Sequence, residues 1–244
     1  MATAHFFVDE LAGPRVTLGP EDSRHALRSL RLRTGEAVSL ADGRGAVARG
    51  HLTGEEGQRA VIQIDEVGMA SRPTPMVSVA MANPGWDRLR WAVQKLAELG
   101  TSEVLILETE RSVRERRTGP SLDRLRAVAR EAAKQSRQAF VAEVRGGYVM
   151  PPKKGEGRSA LDAEGFAVIM LWEKASTPVA HSLPGEARAV RLLVGPEGGF
   201  TDEEAEIAQQ HDAALASLGP NILRTETAAV VGVALVLARY GRLG

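Results

Sequence analysis

Short apolar runs alternate with segments of helical periodicity from Met76 onward, and this alternation constrains the fold more than any other feature. The strand-like runs are MVSVAMA from Met76, EVLIL from Glu103, FAVIMLW from Phe166, RLLVG from Arg191 and ALASL from Ala214. Helical patterns lie between or after them, at 86–99, at 122–138, from Asp202 and from Glu226. Short strands that are apolar throughout are typical of a parallel sheet with helices on both faces. The sequence therefore predicts an α/β domain with a largely parallel sheet.

The first seventy residues have the pattern of a small β-rich unit. Asp42-Gly43 separates two β-prone runs in EAVSLADGRGAVARGHL, which is a hairpin signal. The stretch RAVIQIDEVG alternates apolar and polar residues, as a half-buried strand does. Two prolines in SRPTP, at 71–75, disfavour both helix and central strand, and the pattern changes directly after them. We therefore expect two domains, a β-barrel or sandwich at 1–72 and the α/β domain at 75–244.

Composition excludes several classes of function. Lys+Arg and Asp+Glu number 31 each, so nucleic-acid binding would need a local segregation of charge, such as the arginines between residues 24 and 33. The chain has no cysteine and its five histidines show no ligand spacing, so no metal site is expected. No basic leader and no bilayer-length apolar run occur, which predicts a soluble cytoplasmic protein without a membrane partner.

The stretch RLLVGPEGGFTDEE has the features of a ligand-binding loop. A buried strand ends at Val194, the loop 195–199 contains three glycines, and Thr201 with Glu204 forms the capping box of the next helix. Ligands of open α/β sheets bind outside the carboxyl ends of strands, where this loop lies. The chain contains neither the phosphate-loop motif nor the glycine motif of dinucleotide folds, which argues against nucleoside triphosphates and nicotinamide cofactors. An ordinary strand-to-helix turn is the alternative.

A second loop of this kind is LGPNILRTETA, from Leu218 to Ala228. It follows another short strand, turns at Gly219-Pro220, and offers Thr225 as the cap of the last helix. The two loops can therefore line one crevice. Arg224 lies at the start of that helix, where the dipole disfavours a cation, so its side chain is expected to face an anion. A salt bridge to Glu226 or Glu197 is the structural alternative.

Together these two loops resemble the C-terminal signatures of the ribosomal RNA small-subunit methyltransferase E family of the SPOUT superfamily. Further matches lie in order along nearly the whole chain: HALRSLRLRTGE, QKLAELG, ERS and REAAKQSRQ. The resemblance implies an α/β fold class, with a C-terminal SPOUT-type trefoil-knotted parallel-sheet domain and a small N-terminal PUA-like β-barrel that binds RNA. It also implies an enzyme that uses S-adenosyl-L-methionine to methylate N3 of a uridine in 16S ribosomal RNA.

The resemblance also implies roles for residues of both loops. The cofactor-binding candidates are Gly195, Glu197, Gly198, Gly199, Leu218, Gly219, Ile222 and Leu223. Arg224 is the candidate catalytic cation, because a positive charge near O2 or O4 would favour the uridine anion, and Glu226 or Glu197 could accept the proton. The family carries a lysine soon after the first strand of the second domain, whereas this chain has NPGWDRLR; Arg88 or Arg90 is the candidate replacement.

The candidate RNA contacts are basic residues of the first domain, of ERS and of the helix predicted at 122–138: Arg24, Arg28, Arg31, Arg33, Arg111, Arg130, Lys134 and Arg137. A basic helix face suits a phosphate backbone, although a solvated helix has the same pattern. The last helix, ETAAVVGVALVLARY, is apolar nearly all round, which indicates a core helix or a subunit interface. The resemblance favours a homodimer that acts on 16S ribosomal RNA within the small subunit.

Two other functions remain open at this point. One is a non-catalytic RNA-binding factor for ribosome assembly that keeps the fold without using the cofactor. The other is a methyltransferase of the same fold with a different RNA target. Intact glycine loops argue against the first, because a factor that binds no cofactor has no evident need for them.

Overall fold

The computed structural model describes residues 3–112, 121–151 and 157–243. Contacts between Cα atoms divide the chain into two compact units. The first contains the residues up to Arg72 together with Ala133–Val141, and the second contains the remainder. The chain thus passes from one unit to the other within SRPTP, and it later returns to the first unit for nine residues, which the sequence pattern did not indicate.

The first unit is a curved β-sheet with a short helical segment. Its elements are β1 (Ala4–Phe7), β2 (Arg15–Thr17), α1 (Pro20–Arg24), a π-helical turn (His25–Ser29), β3 (Ala37–Ala41), β4 (Ala46–Glu56) and β5 (Arg59–Met69). The strand order is β1-β3-β4-β5-β2, with β1 parallel to β3 and the other pairs antiparallel. The predicted hairpin is confirmed as β3–β4. Large apolar side chains, among them Phe6, Leu40 and Ile62, fill the interior.

The returning segment Ala133–Val141 packs against the β3–β4 hairpin of this unit. Ala133 joins Phe7 and Ala41 in a small apolar cluster. A Cβ atom at Gly45, which has φ +117°, would lie 2.7 Å from the ring of Phe140, so only glycine leaves room for that ring. The turn therefore closes against a stretch of chain that is distant in sequence.

The second unit is built on a seven-stranded parallel sheet. Its elements are β6 (Met76–Ala82), α2 (Trp86–Glu98), β7 (Glu103–Glu108), α3 (Leu122–Gln135), β8 (Glu143–Val149), β9 (Arg158–Ser159), β10 (Ala167–Leu171), α4 (Val179–Ser182), β11 (Ala189–Val194), α5 (Asp202–Gln210), β12 (Ala214–Ala216) and α6 (Thr225–Arg239). The strand order is β12-β10-β11-β6-β7-β8-β9, and every pair is parallel. This confirms the α/β class and the parallel sheet.

The sequence pattern did not predict two strands of this sheet, β8 and β9. β8 reads EVRGGYV and β9 only RS, so neither is an apolar run. β9 is the edge strand of the sheet, and β8 lies between β9 and β7. Most residues of β8 are at least partly exposed, so this strand does not need to be apolar throughout. No helix within the described ranges is long and apolar enough to cross a membrane.

One charged side chain lies inside the sheet. Arg191 of β11 is 5% exposed and donates to Glu103 Oε2 at 3.2 Å, to Ser78 Oγ and to the carbonyl oxygens of Ala160 and Asp162. A buried guanidinium is tolerated only when it is paired and hydrogen-bonded in this way. These contacts lie toward the amino ends of the strands. They therefore do not block the carboxyl ends, where a parallel sheet binds its ligands.

Candidate active site

A cleft of about 200 Å³ opens at the carboxyl ends of three neighbouring strands, β10, β11 and β12. All eight residues predicted from the sequence to bind a cofactor line it: Gly195, Glu197, Gly198, Gly199, Leu218, Gly219, Ile222 and Leu223. The structure therefore brings the two glycine-bearing loops into one crevice. Among the described residues, no group of three or more His, Cys, Asp or Glu side chains is placed to hold a metal ion.

The third side of the cleft was missed by sequence reasoning. Trp172 and Glu173 follow β10, and the cleft is also lined by Ser217, Asn221, Thr225 and Ala228. The signal was present in FAVIMLW: this run is a buried strand, and the residues that follow it must reach the same edge of the sheet as the two glycine loops. What the sequence did not show is that β10 lies between β11 and β12.

The loop after β11 is held in one conformation by its own helix cap. The predicted capping box is confirmed: Glu204 N donates to Thr201 Oγ1 at 3.1 Å, and Thr201 N donates to Glu204 Oε2 at 2.8 Å. Gly199 has φ +67°, and a Cβ atom there would lie 2.7 Å from Glu173 Oε1. Only glycine fits, and its bare backbone can approach a ligand closely.

The loop after β12 is held by a contact that the sequence did not predict. Thr225 is not the cap of α6: it is the first residue of the helix, and Arg224 occupies the cap position. The Thr225 hydroxyl instead donates to the carbonyl oxygen of Gly195 at 3.0 Å. This bond joins the two glycine-bearing loops.

Arg88 of α2, rather than Arg224, pairs with Glu197 and Glu226. Its Nη1 lies 2.7 Å from Glu197 Oε1, and its Nε lies 3.7 Å from Glu226 Oε1. Glu226 is 8% exposed, and its Oε2 has no hydrogen-bond partner among the described residues. A buried carboxylate oxygen without a partner is costly, so this oxygen is suited to accept a hydrogen bond from a donor group.

Arg224 is exposed at the amino end of α6, between cleft residues Leu223 and Thr225. It forms no ion pair with any residue that the structure describes. A cation at this end of a helix is disfavoured by about 0.3–1 kcal/mol. The arginine is therefore placed beside the cleft without a counter-charge to explain it.

Arg111, predicted to bind RNA, lies instead against the glycine loop of the cleft. Its Nη1 donates to the carbonyl oxygen of Gly198 at 2.7 Å and reaches that of Phe200 at 3.5 Å. The neighbouring Glu110 N–H donates to Glu204 Oε1 at 2.9 Å. Burial raises the pKa of the Glu204 carboxyl. The hydrogen bonds that the carboxylate accepts from two backbone N–H groups favour its charged form and offset part of this rise.

The other predicted RNA contacts fall into two groups. Arg24, Arg28, Arg31 and Arg33 are all exposed, from the last residue of α1 to just beyond the π-helical turn of the first unit. At the end of α3, Lys134 is ion-paired with Asp22 at 2.8 Å, and both side chains are mostly buried. Arg130 is half-buried, and Arg137 is exposed just beyond α3. The exposed arginines can meet a phosphate without losing a partner, whereas Lys134 cannot.

Family models match both units. Residues 71–237 match an RNA methyltransferase domain, and residues 18–65 match an RNA methyltransferase PUA domain. Together with the parallel sheet and the glycine-lined cleft, these matches define the protein as an RNA methyltransferase with an N-terminal PUA domain.

The curated relatives place the chain more narrowly. It is 32% identical to ribosomal RNA small subunit methyltransferase E of Mycobacterium bovis, over 97% of this chain and 92% of the relative. The enzyme of the same name from Bacillus subtilis is 25% identical over 91% of this chain and 90% of the relative. The chain belongs to the ribosomal RNA small subunit methyltransferase E family.

Solved structures share the fold over nearly the full length. A ribosomal RNA small subunit methyltransferase E from Neisseria gonorrhoeae, bound to S-adenosyl methionine, has a TM-score of 0.79 at 26% identity and covers 97% of this chain and 98% of its own. A Legionella pneumophila protein, also solved with this cofactor, has a TM-score of 0.77 at 25% identity, with 98% of both chains covered.

Proposed function

We propose that this chain transfers a methyl group from S-adenosylmethionine to N3 of a uridine in the 16S ribosomal RNA of the small subunit. The observation that carries the proposal is the cleft at β10, β11 and β12, in a chain of the ribosomal RNA small subunit methyltransferase E family. The family membership supports the use of S-adenosylmethionine and the ribosomal RNA substrate. The choice of N3 of uracil is the finer part: the resemblance of the two loops implies it, and the residues beside the cleft supply a cation and carboxylates that suit it.

The lining of the cleft fits the cofactor. Glycines occur in both loops that line it, and a backbone without side chains can approach a ligand closely. Backbone groups of the glycine loop, with Gly199 at positive φ, and of Leu218–Leu223 would hold the ligand. When bound, the cofactor supplies a methyl group on a positively charged sulfur.

The residues of this chain would act on the uridine. Methylation replaces the N3–H proton of uracil by a methyl group, so the site must accept that proton and favour negative charge on the ring. Arg224, exposed next to cleft residues Leu223 and Thr225, would face O2 or O4, where that charge develops. Glu226, which has one oxygen without a partner among the described residues, would accept the proton, and Glu197 is the alternative acceptor. Positioning of the two reactants accounts for much of the remaining acceleration.

Cofactor binding is the first expected result. At 100 times its dissociation constant, S-adenosylmethionine should stabilise the protein by about 2.7 kcal/mol, which raises the melting temperature by roughly 5–10 °C. Calorimetric titration with the cofactor and with its demethylated product measures the affinity. If neither ligand binds, the protein is a non-catalytic RNA-binding factor and the proposal is wrong.

The substrate is tested with small subunits from cells that lack this enzyme. Incubation with the protein and radiolabelled S-adenosylmethionine should label 16S ribosomal RNA, and mapping should locate the label on N3 of one uridine. Comparison with protein-free 16S RNA distinguishes the assembled subunit, which we propose as the substrate, from free RNA. A label on another RNA or another base atom would favour the alternative of a related methyltransferase with a different target.

We propose that Arg24, Arg28, Arg31 and Arg33 contact phosphates of the RNA, since all four side chains are exposed. Replacing Arg28, Arg31 and Arg33 together by alanine should weaken RNA binding and reduce its salt slope by up to about 0.9 units for each lost contact on the duplex scale. Cofactor affinity should not change. The slope is measured by RNA titration at several salt concentrations, and an unchanged slope would mean that these arginines are only solvated.

We also propose a cytoplasmic homodimer with the trefoil-knotted backbone that the resemblance implies. Helices α2 and α6 pack against each other. Between them they expose large apolar side chains, with Trp91 at 42% and Leu235 at 38%. Exposed apolar groups on adjacent helices support a subunit interface at this face.

A further inference from the structure

The turn Thr109–Ser112 after β7 contacts the glycine loop of the cleft without lining the cleft. The turn is closed by its own side chains: Ser112 Oγ accepts the Thr109 N–H at 2.9 Å, and the two hydroxyl oxygens lie 3.0 Å apart. The Ser112 N–H donates to the Thr109 carbonyl oxygen at 3.1 Å. A turn bonded in this way presents the residues at its tip in a fixed direction.

Two contacts join this turn to the glycine loop from opposite ends. At one end, Arg111 Nη1 donates to the Gly198 carbonyl oxygen at 2.7 Å. At the other, Glu204 accepts the Glu110 N–H through Oε1 and the Thr201 N–H through Oε2. Glu204 is fully buried, so neither bond is exchanged for water. The loop 195–200 is thereby held both in its middle and where it enters α5.

Arg111 also packs beside Gly198. A Cβ atom built at Gly198 would be in ordinary van der Waals contact with this side chain, 3.4 Å from Cδ and 3.5 Å from Cβ of Arg111. The aliphatic part of Arg111 therefore lies over the Gly198 backbone while its guanidinium bonds the carbonyl oxygen. The arginine covers the outer side of a loop whose inner side lines the cleft.

We infer that Arg111 is a positioning residue for the cofactor, which fixes the glycine loop through the Gly198 carbonyl group and does not contact RNA. The inference rests on the proposed function, because it assumes that the loop binds S-adenosylmethionine. An arginine with a rigid fork of donors suits this task, since one guanidinium can hold two carbonyl oxygens of the same loop. Arg24, Arg28, Arg31 and Arg33 are exposed as Arg111 is, but none of the four donates to a carbonyl oxygen of any residue that the structure describes.

Replacing Arg111 by alanine tests the inference. The dissociation constant and the KM for S-adenosylmethionine should rise about 10-fold, as expected for the loss of one charge-assisted hydrogen bond. The kcat on small subunits should stay within a factor of about two, because the bound ligands still meet the same reacting groups. Arg111→Lys keeps one donor and should recover part of the affinity. Arg188→Ala is the matched control, since Arg188 is exposed at the opposite edge of the sheet, just before β11.

Measurements of RNA binding distinguish a cofactor-positioning role of Arg111 from the RNA contact predicted from the sequence. Affinity for protein-free 16S RNA and its salt slope should be the same in Arg111→Ala as in the unchanged protein, whereas a lost phosphate contact would reduce the slope by about 0.9 units on the duplex scale. A reduced slope with unchanged cofactor affinity overturns the inference. The inference is also overturned if Arg111→Ala lowers the melting temperature of the cofactor-free protein and Arg111→Lys does not restore it. If the unchanged protein binds no cofactor, the proposed function itself fails.

Discussion

Replacing Arg224 by alanine should lower turnover on small subunits by about 10²–10³-fold, the usual cost of losing one electrostatic contact to a developing anion. Arg224 stands beside the cleft, at a helix end that disfavours cations, and no described residue balances its charge. A lysine keeps the charge but loses the planar fork, so Arg224→Lys should retain part of the activity. The measurement is single-turnover methylation with radiolabelled cofactor at saturating concentrations of both substrates.

The cofactor affinity of the Arg224 variants is measured in parallel and should change little. Arg188→Ala again serves as the control for loss of an exposed arginine. An equal loss of cofactor affinity and turnover would make Arg224 a contact to the cofactor, contrary to our assignment. A large loss of stability in Arg224→Ala would show that the side chain has a structural partner.

Replacing Ala228 by leucine should weaken S-adenosylmethionine binding by about 5- to 150-fold, because forcing extra methylenes into a filled site costs about 1–3 kcal/mol. Ala228 lies on α6 and lines the cleft, and leucine is a good helix former, so the backbone has no reason to change. Gly199→Val is a poorer test, since Gly199 has positive φ and a side chain there would collide with Glu173. Calorimetric titration gives the affinity.

The matched control for Ala228→Leu is the same substitution at Ala238, which is exposed on the same helix and does not line the cleft. Ala238→Leu should bind the cofactor as tightly as the unchanged protein. If Ala228→Leu is folded and binds the cofactor equally well, the ligand does not occupy this cleft.

The sequence predicted those parts of the site whose structure depends on contacts between residues close together in the chain. The Thr201–Glu204 capping box is confirmed, because its bonds join residues three apart. The cap predicted at Thr225 is wrong, because Thr225 is already the first residue of α6 and Arg224 occupies the cap position; the Thr225 hydroxyl donates to the carbonyl oxygen of Gly195, thirty residues away in sequence. A sequence shows that a residue can cap a helix, and only the fold shows at which residue the helix begins.

Contacts between distant strands explain what else was missed. Glu173 lines the cleft because β10 lies between β11 and β12, an order that the chain sequence does not give. Arg88 and Arg111 reach the glycine loop from the carboxyl ends of β6 and β7, strands on the other side of β11. Arg111 was expected to contact RNA and Arg88 to replace the lysine of the family, since the sequence has no sign of the carbonyl group or the carboxylate that each one meets.

The return of Ala133–Val141 to the first unit affects the order in which the protein can be completed during synthesis. This stretch begins about sixty residues after Arg72, so at about 5–20 residues per second the ribosome needs roughly 3–12 s more to supply it. Until then Phe7 and Ala41 lack their apolar partner, and the ring of Phe140 is missing from its place beside Gly45. The N-terminal unit therefore leaves the ribosome first but cannot be finished until β6, α2 and β7 have also emerged.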